Sequence, residues 1–249
     1  MARLSRRNLR KGGDGMAGIA GLAFDKDGTL FDFRRTWGDW ARRVLVHLAG
    51  QSGVPPERLG AAIGFDPRTG AYAPDSLVIA HTPPEIAAHL APHLPGWDIA
   101  ALVALFDDFA ADVPLVEAVP LVPLFDALRA RGLRIGLVTN DSAAAAGAHL
   151  AQAGLRGHFD FLAGFDSGHG MKPDPGPLLA FAAAAGLAPE QVAMVGDSRH
   201  DLIAGRAAGM RTIAVLTGIA EAAELAPHAD VVLPDIGAIP AWLDAEAAA

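Results

Sequence analysis

The sequence contains no cysteine. This absence excludes a disulfide framework, a thiolate zinc site and a cysteine nucleophile. Every apolar run is interrupted by charge or proline before roughly 18 residues, so we expect no membrane span. The GxSxG, HExxH and GxxxxGK(S/T) motifs are also absent, which removes the hydrolase and nucleotide-binding interpretations attached to them. A chain without cysteine fits a reducing compartment, and we expect a cytoplasmic protein.

Basic charge is scarce and unevenly placed. The formal net charge is −8, which excludes a basic nucleic-acid footprint over the whole chain. The first eleven residues nevertheless hold five basic side chains and no acid, and no apolar stretch follows them in the manner of a secretion signal. We expect residues 1–15 to form a disordered basic tail, or an extension upstream of a start at Met16. We expect neither nucleic acid nor a membrane as a partner.

Most of the chain alternates between short apolar runs and helical segments. Hydrophobic residues make up 51% of the sequence, which readily supplies a packed core. The apolar runs predict strands at residues 19–24, 134–139, 159–165, 192–196, 212–216 and 230–233. They lack period-2 alternation, as is typical of parallel strands covered on both faces. Helices are predicted at residues 120–131, 143–153, 177–185, 202–208 and 236–245. This repetition predicts an α/β fold with a doubly wound, mostly parallel, Rossmann-like sheet.

A long stretch after the first strand predicts a helical insertion. Its expected helices, separated by proline and glycine, span residues 37–49, 56–63, 84–90 and 99–110. We interpret these 82 residues as an insertion and not as an ordinary crossover between parallel strands. We therefore expect an α/β core of residues 16–32 and 115–249 that carries a helical cap of residues 33–114.

The first chemical motif, DKDGTL, directly follows the first predicted strand. Asp25 and Asp27 point the same way, because side chains alternate along an extended chain. Two close carboxylates favour a shared proton or cation, which suits a nucleophile beside an acid/base. The simpler alternative is an Asp-rich turn that Gly28 permits. Lys26 is expected to point opposite the two carboxylates, and we assign it no chemical role.

Two further motifs lie at or just after predicted strand ends, where ligands bind in doubly wound sheets. Thr139 ends the strand at 134–139 and Asn140 directly follows it, where a hydroxyl and helix N–H groups can hold a phosphate. The alternative there is a plain helix N-cap. Lys172 in KPDP is one of only three lysines, against 17 arginines. It would supply a compact charge to a phosphate, and its simpler alternative is a solvated side chain.

The fourth motif, GDSRHD, follows the strand at 192–196. Asp197 and Asp201 offer the oxygen ligands that Mg²⁺ prefers. The alternative is a helix-capping pair formed by Ser198 and Asp201.

Together and in this order, the four motifs resemble the signature of the haloacid dehalogenase-like hydrolase superfamily. That signature is DxDGT, then Ser or Thr, then Lys, then GDxxxD, and it stands here as DKDGTL, VTN, KPDP and GDSRHD. The resemblance covers residues 19–236, with the cap matched only by position and helical character. The continuation GRAAGM is similar to the phosphoglycolate phosphatase-like branch.

The resemblance implies a Mg²⁺-dependent phosphatase that acts on a small phosphomonoester. Asp25 would be the nucleophile that forms an aspartyl-phosphate, and Asp27 would protonate the leaving oxygen and then activate water. The phosphoryl oxygens would be held by Thr139, Asn140 and Lys172. The implied Mg²⁺ ligands are Asp25, the main-chain carbonyl of Asp27, Asp197 and, directly or as support, Asp201. Such chemistry depends on positioning and on charge neutralisation.

Several alternatives remain within and outside this family. Dehalogenases usually lack the second Asp, so Asp27 favours phosphate chemistry. A phosphonoacetaldehyde hydrolase needs a cap lysine, and residues 33–114 contain none. A β-phosphoglucomutase-like mutase keeps the same core and stays open. A binding-only homologue is less favoured, because no catalytic residue is missing. A receiver domain gathers similar residues, but GDSRHD and the long insertion argue against it.

The sequence restricts the identity of the substrate less than it restricts the fold or the reaction. The cap should close over the site, exclude water and contact the leaving group. We expect a small phosphorylated metabolite, with 2-phosphoglycolate first by resemblance and sugar phosphates next, and a monomer or small homo-oligomer. Trp37 and Trp40 are expected in the cap core. Candidate substrate contacts, each more simply a solvated side chain, are Arg34, Arg35, Arg42, Arg43, Arg58, Arg68, His81, His89 and His93.

Overall fold

A six-stranded parallel sheet forms the centre of the computed structural model, which describes residues 18–73, 75–79, 81–111 and 113–248. The tail and alternative start that we predict at residues 1–16 lie outside the described residues. The strands of this sheet are β1 (Gly21–Phe24), β4 (Arg134–Val138), β5 (Phe161–Ala163), β6 (Val192–Gly196), β7 (Arg211–Val215) and β8 (Val231–Leu233). Every neighbouring pair in the order β5-β4-β1-β6-β7-β8 is parallel.

Helices cover both faces of this sheet. They are α5 (Leu121–Ala130), α6 (Ala143–Gln152), α7 (Gly176–Ala185), α8 (Arg199–Ala207), α9 (Ala222–Leu225) and α10 (Ile239–Ala248). In β1, Leu22 and Phe24 pack with α5, α6 and α10, whereas Ala23 packs with α7 and α8. Burial on both faces explains why the strands are continuous apolar runs. The predicted α/β fold class is confirmed.

The strand order creates a crevice beside β1. Numbered along the chain, the six strands lie in the order 3-2-1-4-5-6, which reverses direction between β1 and β6. Ligands of doubly wound sheets bind at such a reversal, beyond the carboxyl ends of the strands. Phe24 ends β1 and Gly196 ends β6. The sequence therefore delivers Asp25 and Asp197 to the same crevice.

A helical insertion separates β1 from the rest of the sheet. Its elements are α1 (Phe33–Ser52), α2 (Pro56–Ile63), the short hairpin strands β2 (Phe65–Asp66) and β3 (Ala71–Tyr72), α3 (Pro83–Leu90) and α4 (Ile99–Ala111). These elements share an apolar cluster, distinct from those of the sheet, that includes Trp37, Trp40, Phe65 and Phe106. The four helices agree with the sequence-based expectation, and the boundaries of core and cap stay a prediction.

Three local features differ from the expected elements. The β2–β3 hairpin was not expected, because strands of two residues are too short to show a hydrophobic period. The N-terminal side of α1 extends to Phe33 because the Asp32 carboxylate accepts a hydrogen bond from the Arg35 N–H. Helix α8 likewise begins at Arg199, since Ser198 caps it. Among the described residues, no helix is long and apolar enough to span a membrane.

Candidate active site

Three buried carboxylates meet at the crevice between β1 and β6. Asp25 directly follows β1, Asp197 directly follows β6, and Asp201 lies in the first turn of α8. Their side-chain oxygens lie within 4.8 Å of one another. The Asp25 N–H donates to the Val195 carbonyl at 2.9 Å, which continues the pairing of β1 with β6 and fixes the position of Asp25. Two of the four sequence motifs are thus joined in one acidic cluster.

Lys172 brings the third motif to the same place. Its buried Nζ donates to Asp25 Oδ1 at 2.5 Å and to Asp201 Oδ1 at 2.6 Å. Burial alone would lower the pKa of Lys172, but Asp201 and Asp25 raise it above its ordinary value. Asp201 Oδ2 accepts from the Ser198 hydroxyl at 2.6 Å. The capping pair that was the simpler alternative therefore exists, and the other oxygen of Asp201 still faces Lys172.

The second motif lies beside Lys172. Thr139 is buried at the end of β4 and lines the same cavity as Asp25. Asn140 Nδ2 donates to the Lys172 carbonyl, and the Lys172 N–H donates to Asn140 Oδ1, both at 2.9 Å. Through this reciprocal pair, the Asn140 side chain positions the loop that carries Lys172. A phosphate contact by Asn140 stays a prediction.

Glycines and a threonine shape the space around the acidic cluster. Thr29 of the first motif donates to Asp197 Oδ1 at 3.3 Å. A Cβ at Gly28 or at Gly218 would overlap the Asp197 carboxylate, and a Cβ at Gly196 would overlap Asp201. Gly28 also has a φ of 80°, a conformation that favours glycine. The backbone therefore approaches these carboxylates more closely than any other residue type would allow.

Repulsion among the carboxylates of the cluster favours the binding of a cation. Burial raises the pKa of Asp25 to about 7; Lys172 opposes this shift, and Asp201 and Asp27 add to it. Burial and the Asp25 carboxylate raise the pKa of Asp197 well above its ordinary value. A hard divalent cation binds carboxylate oxygens and removes this repulsion. Buried oxygens in a glycine-lined cradle therefore fit Mg²⁺.

Asp27 is held by two side chains, those of Trp37 and Lys26, that no pattern in the sequence connects with it. Trp37 Nε1 donates to Asp27 Oδ1 at 2.6 Å, so Trp37 belongs to the site as well as to the apolar cluster of the insertion. The expectation that Lys26 points away is wrong, because its Nζ lies 3.0 Å from Asp27 Oδ2. A buried ammonium needs an acidic partner, and its long side chain reaches back to find one. A lysine where an apolar residue is usual was the available signal.

The carboxylates open into a cavity of about 90 Å³ beneath the insertion. Apolar side chains of the insertion line it, among them Trp40, Ile86 and Phe106. Of the nine candidate contacts named from the sequence, His81 alone is among the described lining residues. Its Nδ1 is buried without a hydrogen-bond partner among the described residues, and its ring lies 5.8 Å from that of His200.

Known proteins resemble the chain in both sequence and structure. The family described as haloacid dehalogenase-like hydrolase matches residues 19–209. The phosphoglycolate phosphatase of Chromobacterium violaceum is 33% identical over 210 residues, which are 83% of this chain and 89% of that protein. The crystal structure of a predicted phosphoglycolate phosphatase from Haemophilus somnus has a TM-score of 0.71 at 18% identity, over 92% of this chain and 99% of that one. CbbY of Rhodobacter sphaeroides, solved with phosphate, has a TM-score of 0.67 at 23% identity, over 91% and 99%.

The raised pKa of Asp25 predicts how the metal-free protein responds to pH. This pKa is about 7 in the folded state against 3.8 ordinarily, so between these values the folded state binds more protons than the unfolded state. The contribution of Asp25 to stability therefore falls as pH rises through this range. In EDTA, we expect the midpoint of urea unfolding to fall more steeply with rising pH for wild type than for Asp25→Asn. Saturating Mg²⁺ should reduce the pH dependence of the wild-type midpoint. Equal slopes for both proteins would contradict this account.

The close approach of Gly218 to Asp197 predicts a selective effect on metal binding. In Gly218→Ala the added Cβ displaces the Asp197 carboxylate. We expect the half-saturating Mg²⁺ concentration to rise roughly tenfold or more, measured by thermal shift against Mg²⁺. Gly50→Ala is the matched control, because a Cβ at this helical position meets nothing within 4 Å. An unchanged Mg²⁺ response in Gly218→Ala would show that Asp197 does not bind the ion.

Proposed function

Because the chain belongs to the haloacid dehalogenase-like hydrolase family and is a phosphoric monoester hydrolase, we propose that it is a Mg²⁺-dependent phosphatase of small phosphomonoesters. The observation that carries this proposal is the meeting of Asp25, Asp197, Asp201 and Lys172 at the ends of β1 and β6. A nucleophilic carboxylate, a cation site and a buried ammonium are the parts that phosphoryl transfer requires.

In the first step, Asp25 attacks phosphorus. One of its carboxylate oxygens forms a bond to phosphorus while the bond between phosphorus and the ester oxygen breaks. Asp27 gives its proton to that leaving oxygen, so the alcohol departs neutral. Lys172 and Thr139 hold the phosphoryl oxygens, and Asn140 positions Lys172 through its two backbone hydrogen bonds.

In the second step, Asp27 acts as a base. It removes a proton from water as the water oxygen attacks the phosphorus of the aspartyl-phosphate. The acyl phosphate bond breaks, inorganic phosphate leaves, and the Asp25 carboxylate is restored. Splitting the reaction in two lowers each barrier. Closure of the insertion as a cap would exclude bulk water from both steps.

The Mg²⁺ ion would be held by Asp25, Asp197, the main-chain carbonyl of Asp27 and, directly or as support, Asp201. A bound Mg²⁺ would neutralise the charge on the phosphoryl oxygens and offset the repulsion between the substrate and the acidic cluster. The fit rests on buried oxygen donors and on the glycines that leave room beside them.

We favour 2-phosphoglycolate as the substrate. The relative from Chromobacterium violaceum is named for it, and the cavity is small. His81 lines the cavity, and we assign its imidazole as the donor to the glycolate carboxylate. Among the described residues that line the cavity, Lys172 is the single Lys or Arg. A mutase must hold a second phosphate, so this lining favours hydrolysis over phosphomutase activity. A small phosphorylated metabolite as partner and a cytoplasmic location are parts of the same proposal.

Phosphate release tests the reaction class. Wild type should release phosphate from 2-phosphoglycolate with Mg²⁺ and not in EDTA, within a panel that includes sugar phosphates. Asp25→Asn should lower kcat on the order of 10⁴-fold or more, because an amide cannot replace the nucleophile. Asp244→Asn, a change at an exposed carboxylate that does not line the cavity, is the matched control. No release by folded wild type, or turnover only with a bisphosphate primer, would overturn the phosphatase assignment.

His81 gives a test of substrate choice. In His81→Phe, the hydrogen bond to the glycolate carboxylate is lost, so KM for 2-phosphoglycolate should rise about tenfold. Turnover of p-nitrophenyl phosphate, which has no carboxylate, should change little. His89→Phe replaces an exposed histidine on α3 and serves as the control. Equal effects of His81→Phe on both substrates would show that His81 does not bind the glycolate carboxylate.

A further inference from the structure

Lys26 places a fully buried ammonium directly beneath the candidate site. Its Nζ lies 2.7 Å from Asp141 Oδ2, 2.8 Å from His149 Nδ1 and 3.0 Å from Asp27 Oδ2. An ammonium has three N–H donors and no acceptor. Lys26 donates hydrogen bonds to Asp141 and His149 and forms an ion pair with Asp27. Burial alone would lower the pKa of Lys26, but Asp141 and Asp27 raise it above its ordinary value. The group is therefore a fixed positive charge.

The Lys26 ammonium also determines the tautomer and the charge of the His149 imidazole. Because Lys26 donates to Nδ1, that nitrogen carries no proton and the imidazole is the neutral Nε2–H form. Burial and the Lys26 charge lower the pKa of His149, which agrees with a neutral ring. Nε2 lies 3.4 Å from the Ala110 carbonyl in α4. The network thus reaches the last helix of the insertion.

The same network reaches the first helix of the insertion through Trp37. Trp37 Nε1 donates to Asp27 Oδ1, and the Lys26 ammonium lies 5.3 Å from the centre of the Trp37 ring, within cation–π range. Both oxygens of Asp27 are thus engaged: Oδ1 accepts the hydrogen bond from Trp37, and Oδ2 forms an ion pair with Lys26 at 3.0 Å. Two such partners on fixed elements leave the carboxyl group little freedom to rotate.

We infer that Lys26 is a positioning residue that holds Asp27 in the orientation needed to protonate the leaving oxygen. The inference rests on the proposed function, because it assigns Lys26 a role through Asp27. The competing account is that Lys26 merely compensates the buried charge of Asp141. The two accounts predict different effects of removing Lys26. Positioning predicts a loss of activity that depends on the substrate, whereas charge compensation predicts an equal loss for all substrates that is restored when the charge of Asp141 is also removed.

Positioning of an acid matters in proportion to how much the leaving group needs a proton. The alkoxide of 2-phosphoglycolate is a poor leaving group, whereas p-nitrophenolate departs readily without protonation. In Lys26→Met, we expect kcat/KM to fall about 10- to 100-fold for 2-phosphoglycolate and less than about threefold for p-nitrophenyl phosphate. The ratio kcat/KM reports the steps up to leaving-group departure, so hydrolysis of the aspartyl-phosphate does not enter it.

The experiment uses three variants of the full chain with Mg²⁺. Lys26→Met removes the ammonium and keeps an unbranched side chain. Lys26→Met/Asp141→Asn also removes the carboxylate charge that the first change leaves buried and uncompensated, which protects the fold. Arg131→Met, which breaks an exposed ion pair with Asp244, is the matched control. The indole Nε1–H resonance of Trp37 is recorded for each variant, because it reports the hydrogen bond to Asp27 independently of activity.

Positioning predicts the selective loss for 2-phosphoglycolate in both Lys26 variants, together with a shifted Trp37 indole resonance. The inference is overturned if both substrates lose activity equally in Lys26→Met and recover in the double variant, since Lys26 would then only compensate Asp141. It is also overturned if both Lys26 variants match Arg131→Met. Failure of wild type to hydrolyse either substrate would instead overturn the proposed function, and the inference with it.

Discussion

Repulsion among buried carboxylates is the constraint on which this site depends. Five carboxylates gather where β1, β4 and β6 end: Asp25, Asp197 and Asp201 are buried, and Asp27 and Asp141 are partly buried. Among the described residues, two buried ammonium groups lie with them, those of Lys26 and Lys172. Each lysine bridges two carboxylates, so none of its charge is left uncompensated. The glycines beside Asp197 and Asp201 have no side chain, so the space next to these carboxylates stays open. The fold therefore holds these carboxylates close together at a cost in folding free energy, and a bound divalent cation would offset that cost.

The fold and the acidic cluster were predictable from the sequence for a common reason. Parallel strands covered on both faces are written as continuous apolar runs, so β1, β4, β6 and β7 stand out. Polar residues that directly follow such runs must meet at one edge of the sheet. Asp25 and Asp197 therefore converge even though 172 positions separate them in the sequence. The apolar runs predict the shared edge, and the strand order, which makes β1 and β6 neighbours, brings the two carboxylates together.

The supporting contacts were not predictable, because they join residues through side chains that local patterns do not orient. Lys26 was expected to face away from Asp27, since strand alternation fixes where a Cβ points but not where a long side chain ends. Asn140 bonds the backbone of a loop 32 residues later, and Trp37 serves an apolar cluster and a carboxylate at once. Such contacts follow from the need to satisfy buried polar groups, which only the assembled fold makes specific.

The central position of β1 in the sheet also bears on how the chain is made. β1 leaves the ribosome before the other described strands of the sheet, yet its partners are β4 and β6, which lie beyond the whole insertion. Until residue 196 has emerged, at least one edge of β1 has no native partner, and an unpaired strand edge invites association with other chains. The insertion has its own apolar cluster and can bury it earlier in synthesis. An insertion placed between a central strand and its partners thus sets the order in which the parts of the molecule can assemble.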